Sequence, residues 1–161
     1  MWRSTIDFLS RSRRCYAIDL PGHGESGDRQ HGWYSIRNLA GFVAEVCRKL
    51  AVEDPVLVGH SMGGTIALKI AASKLVEMSQ IVAVNPLVRG GTWARSMNLK
   101  GKFLARLVMP MRMLWPITSR ILDGPLRPFS RRWPIHVRRN REDLSRTSPD
   151  AALGAIRAVL M

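Results

Sequence analysis

Three short apolar runs alternate with helical patterns in residues 1–88, and this alternation most constrains how the chain can fold. The runs cover residues 15–20, 55–61 and 80–85. Prolines, glycines or polar residues bound each run, as is typical of buried parallel strands. The intervening segments, 36–50 and 62–74, have helical spacing. Because such alternation favours βαβ units, it predicts an α/β fold, with a partial doubly wound parallel sheet of three recognisable strands and helices on both faces.

Helix ends are marked at several points of the chain. Trp2, Ile6 and Leu9 recur at helical spacing and indicate the last turns of a helix. Ser35 is a predicted N-cap, and the helix behind it carries an apolar stripe. The stripe residues are Ile36, Leu39, Val43, Val46 and Leu50. Ser148, followed by proline and aspartate, predicts the start of a further helix.

Positive charge is concentrated in the second half of the chain. Residues 1–88 hold 10 basic and 8 acidic side chains, whereas residues 89–161 hold 15 basic and 4 acidic ones. After Leu87 the strand pattern gives way to short helical pieces separated by prolines. We therefore divide the chain into a core, residues 1–88, and a basic helical cap or lid segment, residues 89–161. No nucleic-acid recognition fold accompanies the arginines, so nucleic-acid binding is disfavoured.

Cysteine usage and hydropathy point to a cytoplasmic protein. Cys15 and Cys47 lie in apolar patterns without a CxxC partner or metal-ligand spacing, which predicts buried free thiols and no metal site. The most apolar stretch, 103–117, is interrupted by arginines and prolines, short of the ~20 residues that a bilayer-spanning helix needs. The first ten residues lack the apolar region of a secretory signal.

The basic segment also carries apolar side chains. Five arginines surround Trp133 between residues 131 and 141, and the apolar stretch 103–117 precedes them. This combination suits an anionic membrane surface, so the 89–161 region is a candidate for peripheral membrane contact. The favoured alternative is a solvated cap with a small core of its own, because charge runs usually lie on exposed faces.

The sharpest chemical feature is the G-x-S-x-G sequence of residues 59–63, which lies between a predicted strand and a predicted helix. In that context the serine lies on a tight turn with its hydroxyl above the strand end, so Ser61 is a candidate nucleophile. The backbone N–H of Met62 can donate to a developing oxyanion at the helix N-terminus. Three glycines, which lack a Cβ, are predicted to let the strand and the helix pass closely: Gly59, Gly63 and Gly64.

Other interpretations of these motifs are weaker. The G-x-S-x-G sequence could be a chance match whose glycines only form a turn, but the flanking strand and helix disfavour this. His60 is predicted to be a packing residue, because neighbouring side chains at a tight turn point apart. Residues 22–27 match G-x-G-x-x-G, yet no helix opens within these glycines and no acid ends the next strand. We therefore predict a structural loop and no dinucleotide cofactor.

Two motifs together resemble the α/β-hydrolase superfamily, in its esterase, lipase and haloperoxidase-like branch. They are YAIDLPGHGES, residues 16–26, and VGHSMGG, residues 58–64. The resemblance covers about residues 2–88 and places the first motif after the family's fourth strand and the second at its nucleophile elbow. It implies a serine hydrolase that cleaves carboxylic ester, lipid or thioester bonds through a Ser61 acyl-enzyme. The implied substrate is a small hydrophobic ester, with no metal or organic cofactor.

The resemblance also implies catalytic residues that this sequence does not supply. In this fold an acid and then a histidine follow the serine, but the one histidine after Ser61 is His136, in the basic segment. The second oxyanion donor would precede residue 2. We therefore expect a fragment that lacks the triad acid and histidine. Its hydrolysis should be near background, since loss of a triad histidine costs ~10⁶ in kcat.

A non-catalytic remnant, or a basic module that binds membranes or anionic ligands, is the alternative function. Flanking DNA that encodes a His-Gly loop upstream and an acid and histidine downstream would favour the enzyme, whereas stop codons at both ends would favour the remnant. The family's strand order also places its third strand between the runs at 15–20 and 55–60. Without that strand, either the two runs pair directly or they leave an open backbone edge and exposed apolar faces.

Overall fold

The computed structural model describes residues 2–30, 32–88, 146–152 and 154. The elements of this part of the chain are, in order, α1 (Arg3–Leu9), α2 (Ile36–Lys49), β1 (Val56–His60), α3 (Met62–Ala72) and β2 (Gln80–Val84). Residues 149–152 are also helical. Most of the predicted cap, including the stretch 103–117 and the arginines of 131–141, lies outside the described residues.

β1 and β2 form a parallel sheet, and α3 connects them, so this part of the chain is the βαβ unit that the alternation predicts. The register runs from Val56 opposite Gln80 to His60 opposite Val84. α3 packs against both strands, and α2 packs against α3. The predicted α/β fold is therefore confirmed.

The prediction of a strand at residues 15–20 is wrong for this structure. The segment has no strand assignment, and the sheet of the described residues has β1 and β2 alone. Its apolar side chains still find the core, because Ile18 and Leu20 are partly buried against it. A strand needs a neighbouring backbone to complete its hydrogen-bond ladder, and no described strand pairs with this segment. The second expected outcome, an open edge, is the one observed.

The buried core lies between α2 and α3. Leu39 and Ile70 are 1% and 0% exposed, and full burial of such a side chain contributes about 1.5–3 kcal/mol. The stripe predicted for α2 is correct at Leu39 and Val43 but wrong at Leu50, which is 46% exposed. Leu50 is the C-cap residue, so it lies beyond the last turn that faces α3.

Both cysteines are free thiols, but only one is buried. Cys47 lies in the core between α2 and α3, and burial raises the pKa of its thiol. Cys15 is partly exposed, contrary to the prediction, because the unpaired segment that holds it lies at the surface. Among the described residues, no helix is long and apolar enough to cross a membrane.

The sheet face opposite α3 keeps much of its apolar surface exposed. Because paired residues of a parallel ladder share a face, the register places four valines together on it. These valines are between 40% and 46% exposed: Val56, Val58, Val82 and Val84. The described part of the sheet is thus well packed on the α3 face alone.

The C-terminal described segment docks on the loop that follows residue 20. The Ser148 backbone N–H donates to the Gly22 carbonyl at 2.7 Å. The Ser148 hydroxyl accepts from the Ala151 N–H at 3.1 Å, which confirms the predicted helix start and its cap. Ala151 is fully buried in this contact. A Cβ on Gly22 would lie 2.5 Å from the Ala151 Cβ and 2.6 Å from the Tyr34 hydroxyl.

Replacing Gly22 should therefore detach residues 146–152 from the loop. Gly22 and Gly32 have φ values of +72° and +87°, but a Cβ on Gly32 would meet no atom within 4 Å. Both Gly→Ala changes should cost about 1–2 kcal/mol for the left-handed backbone. Gly22→Ala alone should also abolish hydrogen-exchange protection of the Ser148 amide. Equal protection in the two variants would contradict the docking described here.

Candidate active site

Ser61 lies on the turn between the last residue of β1 and the first residue of α3. Its backbone has φ 52° and ψ −119°, a left-handed conformation that non-glycine residues rarely adopt. Two hydrogen bonds hold it there: the Ser61 N–H donates to the Val84 carbonyl at 2.9 Å, and the Thr65 N–H donates to the Ser61 carbonyl at 3.1 Å. Such backbone strain costs about 1–3 kcal/mol and is characteristic of functional sites.

The Ser61 hydroxyl does not cap the helix that it precedes. Ser35 has an extended backbone (φ −114°, ψ 156°), and its hydroxyl accepts from the Asn38 N–H at 3.1 Å. Ser148 caps the helical residues 149–152 in the same way. Ser61 is also an N-cap residue, but its left-handed backbone leaves its side chain without a capping bond. Ser61 therefore has a hydroxyl that the local structure does not use.

Close approach of β1 and α3 depends most on Gly59. A Cβ there would lie 2.3 Å from the carbonyl carbon and oxygen of Gly63, closer than atoms can pack. A Cβ on Gly64 would lie 3.2 Å from the Gly59 oxygen and from the Pro86 Cβ. Gly63 differs, since its own Cβ would meet no atom within 4 Å. Its contribution is the backbone against which Gly59 packs.

Met62 is the first residue of α3. The first N–H groups of a helix have no intrahelical acceptor, so the N–H of Met62 is directed away from the helix beside the Ser61 turn. The geometry thus places a hydroxyl and a backbone donor on consecutive residues at the carboxyl end of β1.

Thr65, which lies outside the G-x-S-x-G sequence, also contacts this turn. Its hydroxyl accepts from the Leu87 N–H at 3.0 Å and lies 3.3 Å from the Leu87 carbonyl and 3.4 Å from the Ser61 carbonyl. A threonine hydroxyl on a helix often bonds the carbonyl four residues earlier, so the contact to Ser61 has a sequence signal. The contact to Leu87 has none, because that residue is distant in the sequence.

No described histidine or carboxylate is hydrogen-bonded to Ser61. His60 is half-buried at the end of β1, on the sheet face opposite α3. The His23 Nδ1 lies 3.0 Å from the Pro21 carbonyl, in the loop after residue 20. His136 lies outside the described residues, as do three of the four acids in the predicted cap. The fourth, Asp150, lies in the helical turn at 149–152.

The loop with the G-x-G-x-x-G sequence forms a closed turn. Its Gly22 N–H donates to the Gly27 carbonyl at 3.0 Å, and the Asp19 carboxylate accepts from the Glu25 N–H at 3.1 Å. The helix that follows this loop in the sequence begins only at Ile36, so no helix opens within these glycines. The loop therefore lacks the arrangement that a dinucleotide pyrophosphate requires.

A cavity of about 310 Å³ lies between this loop and residues 146–149, and Ser61 does not line it. The pKa of the Asp28 carboxyl, beside this cavity, is below its usual value. Burial acts to raise this pKa, but hydrogen bonds from Tyr34, the Arg29 N–H and Ser148 lower it by more. Asp28 is thus engaged in holding the loop.

Across residues 2–30, 32–88, 146–152 and 154, no three His, Cys, Asp or Glu side chains are grouped to hold a metal ion.

Substitution of the elbow glycines should separate their roles. Gly59→Ala forces a Cβ into the backbone of α3 and should destabilise the protein by about 3 kcal/mol or more, the upper range for overpacking. Gly63→Ala meets no atom and should be neutral or stabilising by about 0.5 kcal/mol, because alanine favours helix. Urea unfolding followed by circular dichroism measures both, and equal effects would contradict the elbow geometry.

A second prediction concerns the strained backbone of Ser61. Glycine adopts positive φ without a Cβ penalty, so Ser61→Gly should be more stable than Ser61→Ala by about 1 kcal/mol. At Ser4, an exposed residue inside α1, glycine should instead be less stable than alanine, because glycine is unfavourable within a helix. Thermal unfolding of the four variants tests this. A glycine variant at position 61 that is no more stable than the alanine variant would show that Ser61 is not strained.

Comparison with known proteins places this geometry in a family. The sequence model described as the alpha/beta hydrolase family matches residues 1–161. Esterase Rv0045c of Mycobacterium tuberculosis is 39% identical over 69 residues, 43% of this chain and 23% of that protein. The dihydrolipoyllysine-residue acetyltransferase component of the acetoin cleaving system of Cupriavidus necator is 35% identical over 86 residues, 53% of this chain and 23% of that protein.

A solved structure has the same fold. The crystal structure of a hydrolase from Pseudomonas aeruginosa PA01 matches with a TM-score of 0.71 and 23% identity, covering 99% of this chain and 58% of that one. The chain thus spans little more than half of that structure and about a quarter of each relative named above. From the match across residues 1–161 and the shared fold, we conclude that the chain belongs to the α/β hydrolase family.

Proposed function

We propose that the chain provides the nucleophile of a serine hydrolase that cleaves carboxylic ester, lipid or thioester bonds through a Ser61 acyl-enzyme. The observation that carries the proposal is the uncapped hydroxyl of Ser61 on a left-handed turn at a helix N-terminus. Two other serines of the described residues, at N-cap positions without such a turn, use their hydroxyls for capping. The strain at Ser61 thus supports a chemical role.

The proposed reaction has two steps. The Ser61 oxygen attacks the carbonyl carbon of the ester while its proton passes to a base, and the N–H of Met62 donates to the oxyanion that forms. The carbon–oxygen bond to the leaving alcohol, or the carbon–sulfur bond to a thiol, then breaks as the leaving group takes up a proton. Water attacks the acyl-enzyme, releases the acid and restores the serine.

The base and its orienting acid belong to the proposal, since no described histidine is bonded to Ser61. We place them, with the second oxyanion donor, in parts of the protein outside the described residues. The proposed substrate is a small hydrophobic ester, and the relative named an esterase supports the ester bond. A cytoplasmic location is also part of the proposal, with peripheral membrane contact through residues 89–161 as the alternative to a solvated cap.

The proposal is tested by supplying the base from solution. The 161-residue chain is incubated with an alkyl fluorophosphonate at increasing imidazole concentrations, and the phosphonylated residue is located by peptide mass spectrometry. Without imidazole, labelling should be near background. With imidazole, labelling should rise at Ser61 in preference to Ser35, whose hydroxyl is held in a capping bond.

Ser61→Ala is the control for this experiment. It should remove the imidazole-dependent labelling and leave the slow background at other hydroxyls unchanged. If the wild-type chain and Ser61→Ala are labelled alike, Ser61 is not a nucleophile, and the non-catalytic remnant becomes the better interpretation of the chain.

A further inference from the structure

The elbow is joined to the end of β2 and to the segment that follows it by three contacts. The Ser61 N–H donates to the Val84 carbonyl at 2.9 Å, and Gly64 approaches the Pro86 Cβ so closely that an added Cβ would lie 3.2 Å from it. In the third contact the Leu87 N–H donates to the Thr65 hydroxyl at 3.0 Å. Of the two hydrogen bonds among these contacts, this one alone involves a side chain. A single substitution can therefore remove it without altering the backbone.

The geometry of the Thr65 hydroxyl makes it a bridge. A hydroxyl has one proton to donate and two lone pairs that accept. The Leu87 N–H occupies one lone pair at 3.0 Å, and the proton has the Ser61 carbonyl at 3.4 Å and the Leu87 carbonyl at 3.3 Å within reach. Thr65 thereby connects the first turn of α3 to a segment that is far away in the sequence.

The carbonyl that Thr65 reaches belongs to the peptide that holds the proposed oxyanion donor. The Ser61 C=O and the Met62 N–H lie in one planar peptide unit, so fixing the direction of one fixes the other. Both the N–H and the hydroxyl of Thr65 approach the Ser61 oxygen, at 3.1 Å and 3.4 Å. Rotation of this peptide would break the bond from the Thr65 N–H and the contact of the Thr65 hydroxyl with the Ser61 carbonyl.

We propose that Thr65 is a positioning residue that orients the Ser61–Met62 peptide, and with it the Met62 N–H, by tying that peptide to Leu87. The inference rests on the proposed function, because an oriented donor matters only if an oxyanion forms beside Ser61. Oxyanion donors act through geometry fixed in advance, and small displacements are costly. Loss of the Thr65 hydroxyl should therefore slow the chemical step and leave probe binding unchanged.

The test uses imidazole-supported phosphonylation of Ser61 in the whole chain, measured over a range of fluorophosphonate concentrations. Thr65→Val should lower the maximal rate of labelling roughly tenfold, a magnitude expected for a displaced catalytic group, with the half-saturating probe concentration unchanged. Thr65→Ser, which restores the hydroxyl, should recover the wild-type rate. Thr5→Val, the same change on the exposed face of α1, should have no effect.

Thr65→Ala and Thr65→Ser form a second pair that differs by the hydroxyl alone, which keeps the test valid if Thr65→Val folds poorly. Equal rates in this pair, or a serine variant as slow as the valine variant, would overturn the positioning role. Labelling that is the same in wild type and Ser61→Ala would instead reject the proposed function. The two failures are therefore distinct.

Discussion

Backbone contact between the end of β1 and the first turn of α3 is the constraint on which the candidate site depends. Gly59 lies against the Gly63 carbonyl with no room for a Cβ, so the chain must reverse direction within one residue. That residue is Ser61, and its positive φ is the consequence. Close packing at one glycine thus accompanies the strained turn that carries the serine hydroxyl.

The same residue type has two roles at helix N-termini in this chain. Ser35 and Ser148 stabilise a helix because their hydroxyls accept from N–H groups of the first turn. At Ser61 the left-handed backbone removes that option, and the hydroxyl is left for other chemistry. The strain at Ser61 is offset by neighbouring contacts, among them the hydrogen bond between its N–H and Val84.

Packing around the site is uneven. α3 lies between the sheet and α2, and the core side chains Ile66 and Ile70 are almost fully buried. The opposite sheet face exposes valines, and residues 15–20 have no described strand to pair with. The elbow is nevertheless formed, because its contacts come from β1, α3, the end of β2 and the segment after it.

The sequence by itself determined the helices, the βαβ order and the position of the elbow, because caps, apolar spacing and glycines act over a few residues. The start of α2 at Ser35 and the turn at Ser61 are of this kind. Only the tertiary structure decided whether residues 15–20 are a strand and what Thr65 contacts, since both depend on partners distant in the sequence. A strand exists only as part of a ladder, and the bond from Leu87 to Thr65 depends on β2 lying beside β1.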